Sequence, residues 1–300
     1  MIFRKYINTY INTYATNNNE SILINPALDP NDWKKHRFGL SRRRWQQLQG
    51  KCFWITGAGS GYGRSIALAL TAAGSTTFIS GRRQEKLENT LGEGVSLGIQ
   101  MQHCYPVVAD ITSQASLRQA FSLVSRHTLS LFGLINCAGI PQKPNQGFPL
   151  IDGEVNSLED MLQTNIIGQW LICKTAMPLL ARGNSFRVLF LSSEAGWADT
   201  PGHGPYNISK SALNSLGMSF AAECSKRYSE KDIQINVLDP GEAKTEMNQG
   251  SRESPYSVTS MALTLLSHRK GGPNGHFFHR DGRHLGFGQK EAFLSSLLLG

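Results

Sequence analysis

Lys51 to Gly74 reads KCFWITGAGSGYGRSIALALTAAG, and the fold is decided there. Cys52 to Thr56 is a short apolar run, too brief for a helix and closed by glycines, as expected of a buried strand. Gly57, Gly59, Gly61 and Gly63 follow, and an apolar-rich helical segment runs from Arg64 to Ala73. Glycines at a strand-to-helix turn let the backbone come close to a bound pyrophosphate. The helix beyond them turns free N–H groups and the positive end of its dipole toward the same group. With the strand before the loop and the helix after it, the stretch predicts a dinucleotide site.

The same alternation continues outward. Strands are predicted over Ser75–Ser80, His103–Val108, Leu131–Asn136, Arg187–Ser192 and Ile233–Leu238. Between them lie helical patterns over Gln84–Leu91, Ser113–Thr128, Ser157–Leu180 and Pro205–Tyr228. Short apolar strands alternating with helices give a parallel sheet covered on both faces and wound right-handed. The expected class is α/β, a doubly wound sheet of Rossmann type.

Bulk properties narrow the function. The 300 residues, 40% hydrophobic, contain no apolar run long enough for a membrane span. Five scattered cysteines without a CxxC pair suit a reducing compartment, so a cytoplasmic location is expected, with neither disulfides nor a metal site. The histidines form no set with metal-ligand spacing. The formal charge of +8 is concentrated near the start: residues 1–50 hold eight Lys/Arg against three Asp/Glu, the remaining 250 hold 22 against 19. The body is therefore nearly neutral, and no nucleic-acid partner is expected.

An N-terminal extension is expected over residues 1–46 and a single dinucleotide-binding domain over 47–300. The Asn/Thr/Tyr-rich opening, with its repeated YINT, has no apolar periodicity and reads as loosely attached. A basic run follows, Lys34 to Arg44, interleaved with Trp33, Phe38 and Trp45. Peripheral contact with an acidic membrane is one reading of it. The simpler reading packs the aromatics on the body or on a partner subunit and leaves the charges in water.

Residues 47–300 resemble the short-chain dehydrogenase/reductase family, in its single-domain branch. Thr56 to Gly63 matches the TGxxxGxG loop, Asn136 to Gly139 the NAG motif, and Asn165 the helix asparagine. Ser192–Ser193 ends the fifth strand, Tyr206 to Lys210 supplies YxxxK, and Pro240–Gly241 precedes Thr245. The resemblance implies a catalytic tetrad of Asn165, Ser193, Tyr206 and Lys210. It also implies cofactor contacts from Gly57, Gly59, Ser60, Gly61, Tyr62, Gly63, Asp110, Ile111, Asn136, Ala138, Gly139, Pro240, Gly241 and Thr245, besides Tyr206 and Lys210. The region around GGPNGHFFHRDGRHLGF looks like the family's last strand, which implies a homodimer or homotetramer. Two residues depart from the pattern: Tyr62 replaces a small aliphatic residue, and Glu242 an apolar one.

The chemistry holds without the family. Tyr206 and Lys210 are four apart on a predicted helix and share one face. A free phenol ionises near pH ~10, too high for efficient proton transfer at neutrality. An ammonium one turn away favours the phenolate. Tyr206 can then give a proton to a carbonyl oxygen, or take one from an alcohol, as hydride moves. Ser193, thirteen residues earlier, has the family's spacing for hydrogen-bonding that oxygen, whereas strand alternation points Ser192 away. Asn165 is likened to the residue holding a water next to Lys210.

Cofactor choice is read at the end of the second strand, where NAD-selective folds place an acid for the ribose 2′-hydroxyl. Here the position is Gly81, followed by Arg82 and Arg83. A guanidinium there suits a 2′-phosphate, so NADP(H) is expected over NAD(H), with Arg82 as its ligand. Glu194, Trp197, His203 and Glu242 are the candidate substrate residues, and their polarity favours a hydroxyl-rich small molecule such as a sugar. The leading expectation is a carbonyl reductase or alcohol dehydrogenase. A non-catalytic cofactor-binding scaffold and a sugar epimerase or dehydratase are the alternatives.

Overall fold

The computed structural model describes residues 29–141, 150–151, 153–197 and 202–285. The YINT-containing opening, Asp199 and the last fifteen residues lie outside the described residues. Seven parallel strands form one sheet in the order β3-β2-β1-β4-β5-β6-β7: β1 Cys52–Thr56, β2 Thr76–Gly81, β3 Cys104–Val108, β4 Gly133–Asn136, β5 Ser185–Leu191, β6 Asp232–Asp239 and β7 His276–His279. After β3 the chain returns to the other side of β1, so the β1–β4 junction is where the winding reverses. In such sheets the crevice above that junction, at the carboxyl ends of the strands, is the ligand site.

Both faces of the sheet are buried, which is why β1 reads as a continuous apolar run rather than an alternation. Phe53 and Ile55 join one core cluster and Trp54 the other, and all three are fully buried. The Trp54 face is covered by α4 Gln114–His127, α6 Gln169–Leu180 and α7 Gly204–Arg227. The Phe53 face is covered by α2 Gly61–Ala72 and α8 Thr259–Leu266. α1 Arg42–Leu48 packs on this second face as well: Leu48, Phe38 and Leu40 are buried in the same cluster.

The aromatic part of the basic run therefore sits on the body. Phe38 stacks on Tyr256 at 5.6 Å between centroids, Trp33 donates from its indole to the Leu97 carbonyl at 2.8 Å, and Arg44 donates to the Thr264 carbonyl at 3.0 Å. Lys34, Lys35, Arg42 and Arg43 are exposed.

Two helices differ from expectation. α3 Gln84–Ser96 runs beyond Leu91 through Gly92 and Gly94, because its buried Gly94 lets Met101 and Leu68 press against the backbone. The single helix expected over 157–180 is α5 Val155–Leu162 and α6 joined by a π-turn, Gln163–Gly168.

At the opposite end of the sheet from the crevice, Arg187 is buried and donates to the Asp232 carboxylate at 2.6 Å, to the Asp232 carbonyl at 3.0 Å and to the His268 carbonyl at 3.1 Å. Burial alone would raise the Asp232 carboxyl, but the Arg187 guanidinium and the Gly271 N–H outweigh it and hold the group below the usual carboxylate range. A carboxyl whose pKa is lower folded than unfolded stabilises fully above the unfolded value, about 4, and loses that contribution as pH falls through the folded value. Asp232→Asn should cost about 3 kcal/mol at neutral pH by leaving Arg187 buried without its counter-charge. Urea unfolding as a function of pH checks this: the gap to the parent should begin to narrow once the pH falls below about 4, and a gap that never narrows in acid counts against the pair.

Candidate active site

The crevice above β1 and β4 is a cleft of about 1130 Å³. One end is the turn after β1. Gly57 has φ +65°, and a Cβ there would lie 2.7 Å from the Ala138 nitrogen; a Cβ on Gly63 would overlap the Gly57 carbonyl. Only glycine fits either place, and backbone is therefore exposed where larger side chains would stand. Ser60 precedes α2 without a side-chain cap, so the first N–H groups of the helix face the cleft uncovered by any side chain. A glycine cradle and an uncapped helix start at a sheet crevice are what a dinucleotide pyrophosphate requires, and the residues present fit that group.

Of the residues expected to meet the cofactor, Gly57, Gly59, Ser60, Gly61, Tyr62, Gly63, Arg82, Asp110, Ile111, Ala138, Gly139, Pro240, Gly241 and Thr245 all line this cleft. Asp110 accepts from the Thr112 hydroxyl at 2.7 Å and the Thr112 N–H at 2.9 Å. Burial would raise its carboxyl, but those donors, with Arg82 nearby, keep it below its ordinary value. Asn136 does not reach the cleft; it is fully buried, and its amide donates to Cys173 Sγ at 3.1 Å. Tyr62, the departure in the glycine loop, donates its phenol to the Gly241 carbonyl at 2.6 Å, and burial pushes that phenol up. It thereby ties the β1–α2 turn to the turn after β6.

The other wall carries Ser193, Tyr206 and Lys210. Lys210 is buried, donates to the Leu191 carbonyl at 3.0 Å and stands 5.6 Å from the Tyr206 ring centroid. Ser193 Oγ accepts from the Ala195 N–H at 3.2 Å, leaving its own proton free to donate. Ser192 is committed elsewhere, donating to Asn214 Oδ1 at 2.5 Å.

Asn165 lies behind this wall. Its Oδ1 accepts from the Ile140 N–H at 2.8 Å, while Nδ2 is within 3.1 Å of the Ile140 carbonyl and of Ser209 Oγ. The π-turn adds one residue to the helix and turns this amide into the junction, a device often found beside functional sites. One buried amide joins the loop after β4 to α7, the helix that carries Tyr206.

At the substrate end, Glu194, His203 and Glu242 line the cleft. Trp197 does not; it is half exposed, and its indole donates to Asp239 Oδ2 at 3.2 Å. Asp239 is 1% exposed yet lines the cleft, with Oδ1 accepting from the Gly241 N–H at 2.9 Å. Sequence reading passed over Asp239, although an acid ending an apolar strand was a usable signal. Lys86 and Glu246 also line the cleft and were missed, because their meeting is purely tertiary. Among the described residues no cluster of His, Cys, Asp and Glu could hold a metal.

The short chain dehydrogenase family model matches residues 51–255. The chain belongs to that family. Its fold matches a short chain dehydrogenase from Shigella flexneri, solved as a complex with NADP, at TM-score 0.70 and 21% identity over 78% of this chain and 99% of that one. Oxidoreductase UcpA of Salmonella typhimurium is 28% identical over 83% of this chain and 89% of its own. A 3-oxoacyl-[acyl-carrier-protein] reductase of Aquifex aeolicus is 25% identical, over 79% and 98% respectively. This dehydrogenase family binds nicotinamide cofactors and acts on small molecules.

The junction at Asn165 can be tested directly. Asn165→Ala removes a buried amide's hydrogen bonds and strands the Ile140 backbone, at a cost of about 2–3 kcal/mol. Thermal unfolding should register the loss, and amide exchange at Ile140 should accelerate while the β1 amides keep their protection. Unchanged exchange at Ile140 would show that the amide holds nothing in place.

Proposed function

We propose that this short-chain dehydrogenase is an NADP(H)-dependent oxidoreductase interconverting a carbonyl and an alcohol, with Tyr206 as general acid and base. The observation that carries the reading is that Tyr206, Lys210 and Ser193 share one wall of the cleft whose other end is the glycine cradle. When bound, the nicotinamide supplies or accepts the hydride. The glycine loop and the α2 N-terminus would hold its pyrophosphate, and Asp110, Ile111, Ala138, Gly139 and Thr245 line the same cleft.

The Tyr206 hydroxyl gives its proton to the substrate carbonyl oxygen in reduction and takes one from the alcohol in oxidation. Lys210, fixed by the Leu191 carbonyl, sets its ammonium, with two further N–H donors, beside the Tyr206 ring. That charge stabilises the phenolate left behind. Ser193 donates to the same substrate oxygen, and Asn165 holds the wall in register. A non-catalytic scaffold would have no use for a buried ammonium beside a phenol in an open cleft.

The 2′-phosphate preference is supported by Gly81, which puts no carboxylate at the end of β2, and by the exposed Arg82 beside it. The Shigella flexneri relative complexed with NADP is consistent with it. Glu194, His203, Asp239 and Glu242 give the substrate end a polar lining, whose desolvation by an apolar ligand would be unfavourable. The substrate is accordingly a small polar carbonyl or polyol.

NADPH should bind about ten- to a hundredfold tighter than NADH, and Arg82→Ala should erase most of the difference; fluorescence titration of both cofactors reads it. Equal affinities in the parent would remove the NADP(H) assignment.

Turnover, measured by NADPH absorbance with a panel of carbonyls that includes sugars, tests the wall. Tyr206→Phe should abolish it while leaving NADPH affinity nearly unchanged. Lys210→Met should damage both, and Ser193→Ala should slow turnover about a hundredfold. Substantial activity in Tyr206→Phe would end the enzyme reading.

A further inference from the structure

The loop after β6 reaches back across the cleft to the start of α3. Its base is closed by the Lys244 N–H on the Glu253 carbonyl at 2.8 Å, and its tip by mutual backbone bonds between Thr245 and Asn248 at 3.0 and 3.2 Å. Thr245 lies against Gly61, 3.1 Å from where a Cβ would stand. From this tip Glu246 extends to α3, meeting Arg83 Nη2 at 2.7 Å and Lys86 Nζ at 2.8 Å. All three side chains line the cleft.

Arg83 precedes α3 and Lys86 is in its first turn, so both cations stand just beyond Gly81, where a nucleotide's ribose is recognised. Three cations are thus offered to a 2′-phosphate, and a carboxylate of the same chain already occupies two. Arg82 makes no ion pair among the described residues and faces the Asp110 carboxyl. Lys86 and Arg83 hold the Glu246 carboxyl down at about 2, so it keeps its charge throughout the neutral range.

We propose that Glu246 is a specificity-determining residue, an internal anion that competes with the cofactor's 2′-phosphate for Arg83 and Lys86. The inference rests on the NADP(H) reading and extends it. A 2′-phosphate displaces the carboxylate, takes over both cations and releases the loop tip. A cofactor without it leaves the clasp between the loop and α3 closed. Glu246 thereby lowers the affinity for the phosphorylated cofactor below what three cations would give. It also couples the identity of the ribose substituent to the position of the loop that carries Thr245 and Met247 over the cleft.

Calorimetric titration of the full chain with 2′,5′-ADP and with 5′-AMP tests this without requiring turnover. Glu246→Gln keeps shape and exposure and removes the charge, so thermal unfolding should change little. The variant should bind 2′,5′-ADP about three- to tenfold tighter, the scale of two partly exposed ion pairs, and 5′-AMP as the parent does. Arg83→Gln together with Lys86→Gln should abolish the gain from Glu246→Gln. If Glu246→Gln leaves 2′,5′-ADP affinity unchanged, or weakens both ligands alike, the competition is overturned and Glu246 only pins the loop. If parent and variant both bind the two ligands equally, the NADP(H) reading falls with it. A parent that prefers 2′,5′-ADP by a margin Glu246→Gln does not alter overturns the competition alone.

Discussion

A Cβ at Gly57 would lie 2.7 Å from the backbone nitrogen of Ala138, and that lack of room sets the shape of everything above the sheet. The turn after β1 and the end of β4 are in backbone contact, sealed by Thr56 Oγ1, which accepts from the Cys137 and Ala138 N–H groups at 3.2 Å each. With the two strand ends locked together, the winding reversal becomes a crevice with a floor of backbone. The helix that follows must then begin over that floor, and its dipole points into it. Neither the cradle nor the facing wall would be in place if β1 and β4 ended even one residue apart in register.

Local chemistry made the sheet and the glycine cradle legible in the amino-acid sequence, and the family resemblance supplied most of the other cleft residues. β1 reads as a buried strand because both faces of a parallel sheet are covered, and the glycines after it have no purely helical or strand use. The pairing of Tyr206 with Lys210 is a matter of helical period alone. What the sequence left open was tertiary. Phe38 and Tyr256 stack although their numbers differ by 218, and Glu246 meets Arg83 although theirs differ by 163. No periodicity records such meetings. The α3 boundary was misjudged for the same reason: Gly92 and Gly94 weaken a helix by propensity, but packing of Met101 and Leu68 at Gly94 outweighs the loss.

Ionic contacts divide by position. The Arg187–Asp232 pair is deep, with side chains only 4% and 11% exposed, and belongs to the end of the sheet away from the cleft. Its energetic weight comes from what remains if one partner is removed. The contacts of Glu246 with Arg83 and Lys86 are partly exposed and individually weak. Weakness suits a contact between two elements lining a binding cleft, since an arriving ligand can exchange for it at small cost. The deep pair sits at the far end of the sheet, and the partly exposed contacts sit in the lining of the cleft.

The π-turn before α6 shows how one inserted residue can serve a wall that it does not form. A regular helix from 155 to 180 would carry the Asn165 amide elsewhere on its surface. The wider turn aims it at Ile140 on one side and Ser209 on the other. Ser209 in turn donates to the Tyr206 carbonyl at 2.9 Å, so the amide is one hydrogen bond removed from the backbone of the tyrosine itself. Ile140 follows Ala138 and Gly139, which line the cradle end of the cleft. A shift of this amide would therefore move the cradle side and the tyrosine side together. That places the constraint on their separation in a buried side chain, where water cannot compete for its bonds.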